Sequence, residues 1–90
     1  MKFDFSGRTL LLTGANGGIG RAIAATFAEA GANMVLADRD LAPLQDFTAG
    51  LGGAGRKIAM AMDAADPASA EAMVKAAVDS FGRIDFIVPS

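Results

Sequence analysis

Thr13-Gly14-Ala15-Asn16-Gly17-Gly18-Ile19-Gly20 stands between an apolar run and a helical pattern, and its reading decides the fold. Upstream, Thr9-Leu10-Leu11-Leu12 has the composition of a buried strand. Downstream, Ile19, Ile23, Phe27 and Ala30 recur at helical spacing from about Gly18 to Ala30, and Gly31 suits the position just past a helix end. Each glycine in such a turn has a physical use. Gly14 lets the chain leave the strand tightly. Gly18 removes a side chain where the backbone would approach an anion. Gly20 lets the helix pack closely on the strand. The start of the helix presents unpaired N–H groups and a partial positive charge. Together these features suit the pyrophosphate of a dinucleotide. Arg21 can add charge nearby, although a first-turn arginine is expected to point to solvent. The bland alternative is the same turn with no ligand. A Walker-type ATP loop is poorly supported, because no Gly-Lys-Ser/Thr follows. A methyltransferase would place an acidic residue where Thr13 stands.

Outward from the turn, strands and helices alternate. Further strand-like runs are Met34-Val35-Leu36-Ala37, Lys57-Ile58-Ala59-Met60 and Ile84-Asp85-Phe86-Ile87-Val88. Nearly continuous apolar runs fit strands covered on both faces. A second helix is expected from about Leu41 to Leu51 with Asp40 as N-cap, before a loop that holds Gly50, Gly52, Gly53 and Gly55. A third opens with Asp66-Pro67, a cap followed by proline at the first helical position. Its expected stripe is Ala70, Met73, Val74, Ala77, Val78 and Phe81, with Glu71 complementing the dipole in the first turn and Gly82 ending it. The fold class is therefore α/β, a Rossmann-like doubly wound parallel sheet in the order βαβαβαβ. Strand order 3-2-1-4 is expected, with the ligand crevice at the carboxyl ends of strands one and four. Residues 1–90 read as one nucleotide-binding unit.

Composition bounds the rest. The 90 residues carry a net charge of −2 with no cysteine, histidine or tyrosine. No basic patch invites nucleic acid. Without cysteine there is no disulfide framework, thiolate metal site or cysteine nucleophile. The mean hydropathy of +0.37 argues against a disordered chain. Apolar runs fall far short of a membrane span, and Met1-Lys2-Phe3-Asp4 has no signal-peptide core, so a cytoplasmic protein is expected.

Two aspartates follow strands. Asp38, 18 residues past Gly20, ends the second strand, where a carboxylate can accept from adenosine ribose hydroxyls and repel a 2′-phosphate. That favours NAD over NADP. Adjacent Arg39 can stack on adenine, or meet a phosphate instead. The bland reading of Asp38 is a cap for the next helix, and that of Asp63 is a turn aspartate.

The TGxxxGxG spacing of Thr13 to Gly20 resembles the classical short-chain dehydrogenases/reductases, and the resemblance covers essentially the whole chain. Phe5-Ser6-Gly7-Arg8 looks like that family's lead-in to its first strand, and Phe81-Gly82-Arg83-Ile84-Asp85 like its approach to the fourth. The resemblance implies a nicotinamide cofactor held by Gly14, Asn16, Gly17, Gly18, Ile19, Gly20, Asp38 and Arg39, with Asp63 and the backbone of Ala64 at the adenine. It implies hydride transfer with an alcohol or ketone; polyols, sugars, steroids and 3-oxoacyl thioesters are candidate substrates. Pro89-Ser90 departs from the family's Asn-Asn-Ala-Gly, which puts contacts to the nicotinamide-side ribose in doubt. The family's catalytic serine, tyrosine and lysine lie in a second half that these residues do not include. Ser69, Ser80, Ser90, Lys57 and Lys75 are not substitutes, so no catalytic residue is assigned and no turnover is expected of this chain alone. Two rival readings are a non-catalytic fragment that folds or self-assembles, and a nucleotide sensor. Strand four, expected as an uncovered edge displaying Phe86, Ile87 and Val88, invites self-association.

Overall fold

The computed structural model describes residues 3–90. Met1 and Lys2, the first half of the leading stretch read above, lie outside the described residues. The elements run β1 (Thr9–Thr13), α1 (Gly18–Glu29), β2 (Asn33–Asp38), α2 (Leu41–Gly50), β3 (Lys57–Ala61), α3 (Pro67–Phe81) and β4 (Phe86–Pro89). The four strands are parallel, in the order β3-β2-β1-β4.

Strand alternation sorts the core into two layers. Leu10 and Leu12 of β1 lie in register with Met34 and Leu36 of β2. They face α1 and α2 and pack with Ala24, Ala28 and Leu44. Leu11 and Val35 face the other way, onto Met73 and Ala77 of α3. A double-wound sheet follows, because the apolar residues of β1 and β2 need cover on both sides. Buried Ala24 and Ala28 leave little side-chain bulk between α1 and the sheet.

The face that α1 buries differs from the expected stripe. Ile23 and Phe27 are half-buried, but Ile19 is 75% exposed. It sits in the first turn of α1, beside the cavity described below rather than over the strands. The expected stripe of α3 is also only partly buried. Met73 and Ala77 meet the sheet, whereas Ala70, Val74 and Val78 are exposed. A stripe is buried only where a second element lies over it, and α3 meets the sheet through Met73 and Ala77. Glu71 is the fifth residue of α3, so it falls beyond the first turn, which contains no acidic residue. Asp66 does cap α3, its Oδ1 accepting from the Ala68 N–H at 3.0 Å. Asp40 occupies the N-cap position of α2 without a side-chain capping bond. Gly31 and Gly82 end α1 and α3 at φ +87° and +77°, a conformation open to glycine at little cost.

Strand four starts at Phe86 rather than Ile84 and extends through Pro89. Two of its three apolar side chains are not on display. Phe86 joins Phe5 and Phe27 in a cluster with ring centres 5.1 to 5.2 Å apart, and Val88 packs on the same core. Ile87 alone, at 67% exposure, matches the expected uncovered edge.

Below the β1/β4 pair, Asp85 ties three segments together. Its Oδ2 accepts from the Thr9 N–H at 2.8 Å, Arg83 grips both oxygens, and Arg8 lies 3.7 Å from Oδ1. The Arg83 hydrogen bonds and the Thr9 N–H hold the Asp85 carboxyl below the usual carboxylate range. A depressed folded-state value stabilises the fold above about pH 4, the ordinary range for an unfolded aspartate, and that stability is lost as pH falls through the folded value. Asp85→Asn is expected to flatten the acid limb of a melting-temperature profile between roughly pH 5 and 2. An acid limb as steep as that of the wild type would show that Asp85 does not contribute.

Candidate dinucleotide site

The turn emerges from β1 at the sheet's switch point. Gly17 donates its N–H to the Gly14 carbonyl at 3.2 Å, closing the turn, and α1 begins at the next residue. A Cβ on Gly20 would run into the Gly14 carbonyl oxygen and approach Ala15 Cα to 2.9 Å. The close approach at Gly20 is therefore to the turn itself, just past the strand. Gly14 abuts the backbone of Ser90 with no room for a side chain. Gly18 is different: a Cβ there would have no protein atom within 4 Å. Nothing among the described residues demands glycine at position 18, where the space is open.

That space is a cavity of about 610 Å³ lined by Gly14, Gly17, Gly18, Ile19, Gly20, Ile23, Asp38, Pro89 and Ser90. Among the described residues, no side chain caps the N-terminus of α1, and no acidic residue stands in its first turn. The first amides of a helix have no intrahelical acceptor, so this end can take an anion from outside. A second hollow of about 350 Å³ is lined by Arg39, Ala61, Met62, Asp63 and Ser69.

Among the residues expected from sequence, Gly14, Gly17, Gly18, Ile19, Gly20 and Asp38 converge on the larger cavity. Arg39 and Asp63 share the smaller one. Ala64 is exposed but outside either lining. Asp63 Oδ1 accepts from the Ala65 N–H at 2.9 Å, and its own N–H donates to the Ser69 hydroxyl at 3.3 Å. Asn16 lines neither cavity; it is built into the wall behind the turn. Its N–H donates to Asp38 Oδ2 at 2.9 Å and its Nδ2 to the Asp40 carbonyl at 3.0 Å. Arg21 does not point freely to solvent. Its Nε donates to the Asn16 carbonyl at 3.0 Å, and its guanidinium lies 4.8 Å from the Phe47 ring centre. Asp38 does not cap α2; its second oxygen accepts from the Arg39 N–H at 2.7 Å. Ile23, one turn after Ile19, is a wall residue that the helical spacing offered but a core reading obscured. Pro89 and Ser90 enter the lining because β4 runs beside β1, with the Ser90 N–H donating to the Thr13 carbonyl at 3.2 Å.

A glycine turn and an uncapped helix at the switch point of a doubly wound sheet define a nucleotide-binding architecture. The short chain dehydrogenase family model matches residues 8–90, and the chain belongs to that family. Oxidoreductase UcpA of Escherichia coli (strain K12) is 45% identical over 85 residues, covering 92% of this chain and 32% of UcpA. A short-chain dehydrogenase/reductase of the glucose/ribitol dehydrogenase type from Brucella melitensis superposes with a TM-score of 0.92 at 52% identity, covering 97% of this chain and 36% of that one. L-sorbose reductase from Gluconobacter frateurii, solved with NADPH and L-sorbose, gives 0.87 at 35% identity, over 97% and 34% of the two chains. A 3-ketoacyl-(acyl-carrier-protein) reductase from Brucella melitensis, solved with NADH, gives 0.82 at 36%, over 93% and 34%. The chain thus spans about a third of the length of these relatives and matches the cofactor-binding part of the family. Among the described residues, no helix is long and apolar enough to cross a membrane.

Gly18 gives a clean separation of fold from ligand. Gly18→Ala is expected to raise stability by about 0.5 to 1 kcal/mol through helix propensity. The same change is expected to weaken dinucleotide binding, because the new methyl group enters the cavity. Paired thermal melts and calorimetric titrations check both signs.

Proposed function

We propose that residues 1–90 are the N-terminal portion of the nicotinamide-dinucleotide-binding domain of a short-chain oxidoreductase, and that they take NAD in preference to NADP. The observation that carries this reading is the uncapped start of α1 opening, past an unhindered Gly18, into a cavity that Asp38 also lines. In this reading the backbone amides of Gly18, Ile19 and Gly20 hold the pyrophosphate, while Gly14 and Gly17 keep the wall thin. Asp38 accepts from the adenosine ribose hydroxyls and disfavours a 2′-phosphate. Arg39, Asp63 and the backbone of Ala64 flank the adenine, and Asn16 supports the turn from behind.

The bound nicotinamide would supply hydride exchange with an alcohol or ketone carbon. The chain's own part is to bind and orient the cofactor. With neither tyrosine nor histidine in its 90 residues, it is proposed to have no turnover alone. The relatives' names support a polyol, sugar or 3-ketoacyl substrate for a whole protein of this kind; a cytoplasmic location is part of the proposal and rests on the sequence reading alone. Calorimetric titration of the purified chain tests the cofactor assignment. NAD is expected to bind about tenfold more tightly than NADP, the scale of one lost charge-assisted hydrogen bond. Equal or tighter NADP binding would overturn the preference. NAD-dependent alcohol oxidation by the chain alone would overturn the proposed inactivity.

Exposed Ile87 supports a second proposal, self-association through β4. The Ser90 N–H bond to Thr13 turns Ile87 and Pro89 toward the open edge. Proline has no N–H, so Ile87 is the amide donor that β4 (Phe86–Pro89) offers there. Weak dimers are therefore expected in sedimentation, and Ile87→Lys should abolish them. A purely monomeric wild type across a wide concentration range would count against this proposal.

A further inference from the structure

We infer that Asp38 is also a positioning residue for the glycine turn: its carboxylate pins Asn16, and through it the loop that faces the pyrophosphate. The pyrophosphate arm of this inference rests on the dinucleotide reading above; the hydrogen-bond arm does not. Asn16 is held at three points. Its N–H donates to Asp38 Oδ2 at 2.9 Å, its carbonyl accepts from Arg21 Nε at 3.0 Å, and its side-chain amide donates to the Asp40 carbonyl at 3.0 Å. The neighbouring Ala15 N–H donates to the Ala37 carbonyl at 3.2 Å. Of these ties, the one to Asp38 joins a charged acceptor on β2 to the backbone two residues before Gly18. Bonds to an ionised acceptor are roughly twice as strong as neutral ones. Arg21 holds the opposite side, braced on the Phe47 ring 4.8 Å away. The turn is thus held by the protein's own groups.

A carboxylate has about four acceptor positions, and two of those on Asp38 are used by the Asn16 and Arg39 N–H groups. The others remain for a ribose diol. The residue that selects the ribose therefore also shapes the pyrophosphate loop. Removing the Asp38 charge to admit a 2′-phosphate would loosen the loop that every dinucleotide needs.

Two measurements test this on the 90-residue chain. The first is amide hydrogen exchange without ligand. The Asn16 amide is expected to be protected in the wild type and to exchange about tenfold faster in Asp38→Ala, while Leu36 in β2 is unchanged. An unprotected Asn16 amide in the wild type would overturn the inference even if the variant fails to fold. The second is binding of inorganic pyrophosphate, which has no ribose for Asp38 to contact. If Asp38 acted on the ribose alone, removing its negative charge would leave this anion's affinity unchanged or tighten it. The inference requires the opposite sign, a weakening of about fivefold in Asp38→Ala. Unchanged or tighter binding would overturn it. Absence of pyrophosphate binding to the wild type would instead overturn the proposed anion site, and the exchange rates would still decide the role of Asp38.

Discussion

Gly20→Ala is expected to cost this protein both its turn and its ligand. The new Cβ would occupy the position of the Gly14 carbonyl oxygen and press on Ala15 Cα. Both are backbone atoms, so no side chain can rotate away. Alanine would favour the helix by up to about 1 kcal/mol. Overpacking against the turn costs about 1–3 kcal/mol and wins. A net loss of about 1–2 kcal/mol lowers the melting temperature of a domain this size by roughly 5–15 °C. The turn must also move outward, into the cavity that Gly20 lines. Dinucleotide binding is therefore expected to fall at least about tenfold, since each 1.4 kcal/mol of lost contact is a factor of ten. An unchanged melting temperature together with wild-type affinity would mean that the turn has slack the geometry denies.

Gly55→Ala should separate the two effects, destabilising the fold while sparing the site. Gly55 lies in the loop between α2 and β3, against the carbonyl oxygens of Ala32 and Gly31. A methyl group there would lift the loop from the start of β2. Two bonds hold it down: the Met34 N–H to the Arg56 carbonyl and the Arg56 N–H to Asn33 Oδ1, each 2.9 Å. Losing this seam is expected to cost about 3 kcal/mol, the upper end of the overpacking range. A 90-residue chain buries only a thin core, so that is a large share of its stability. Gly55 does not line the larger cavity, so the fraction that remains folded should bind dinucleotide normally. Urea unfolding with and without ligand separates the two effects. A loss of affinity matching that of Gly20→Ala would show that the loop and the site are coupled.

The contrast between Gly18, Gly20 and Gly55 also marks what could be read from the chain alone. Glycine spacing after a Leu-rich run was enough to place β1, the turn and α1, and Gly14 and Gly20 are the two positions of the three where the local backbone leaves no room for a side chain. The strand order followed from parallel connection and the switch-point rule. What Gly55 does was hidden, since its partner Ala32 is 23 residues away and is met only in the folded state. The cluster of Phe5, Phe27 and Phe86 was hidden for the same reason. Helical periodicity marked Ile19, Val74 and Val78 as apolar but could not say whether anything covers them. Asp38 was legible as a carboxylate that ends β2 and lines the larger cavity, through its distance from the glycines. Its bond to the Asn16 N–H depends on how the turn folds back over β2, which no pattern of side chains records.

In the function proposed above, the amides at the start of α1 receive the pyrophosphate of a dinucleotide. An NMR titration of the chain with NAD tests it most directly. Saturable shifts are expected, largest at the backbone amides of Gly18, Ile19 and Gly20, with smaller ones at Asp38 and none of comparable size at Gly55. Shifts centred elsewhere, or no saturable change at the turn, would contradict it.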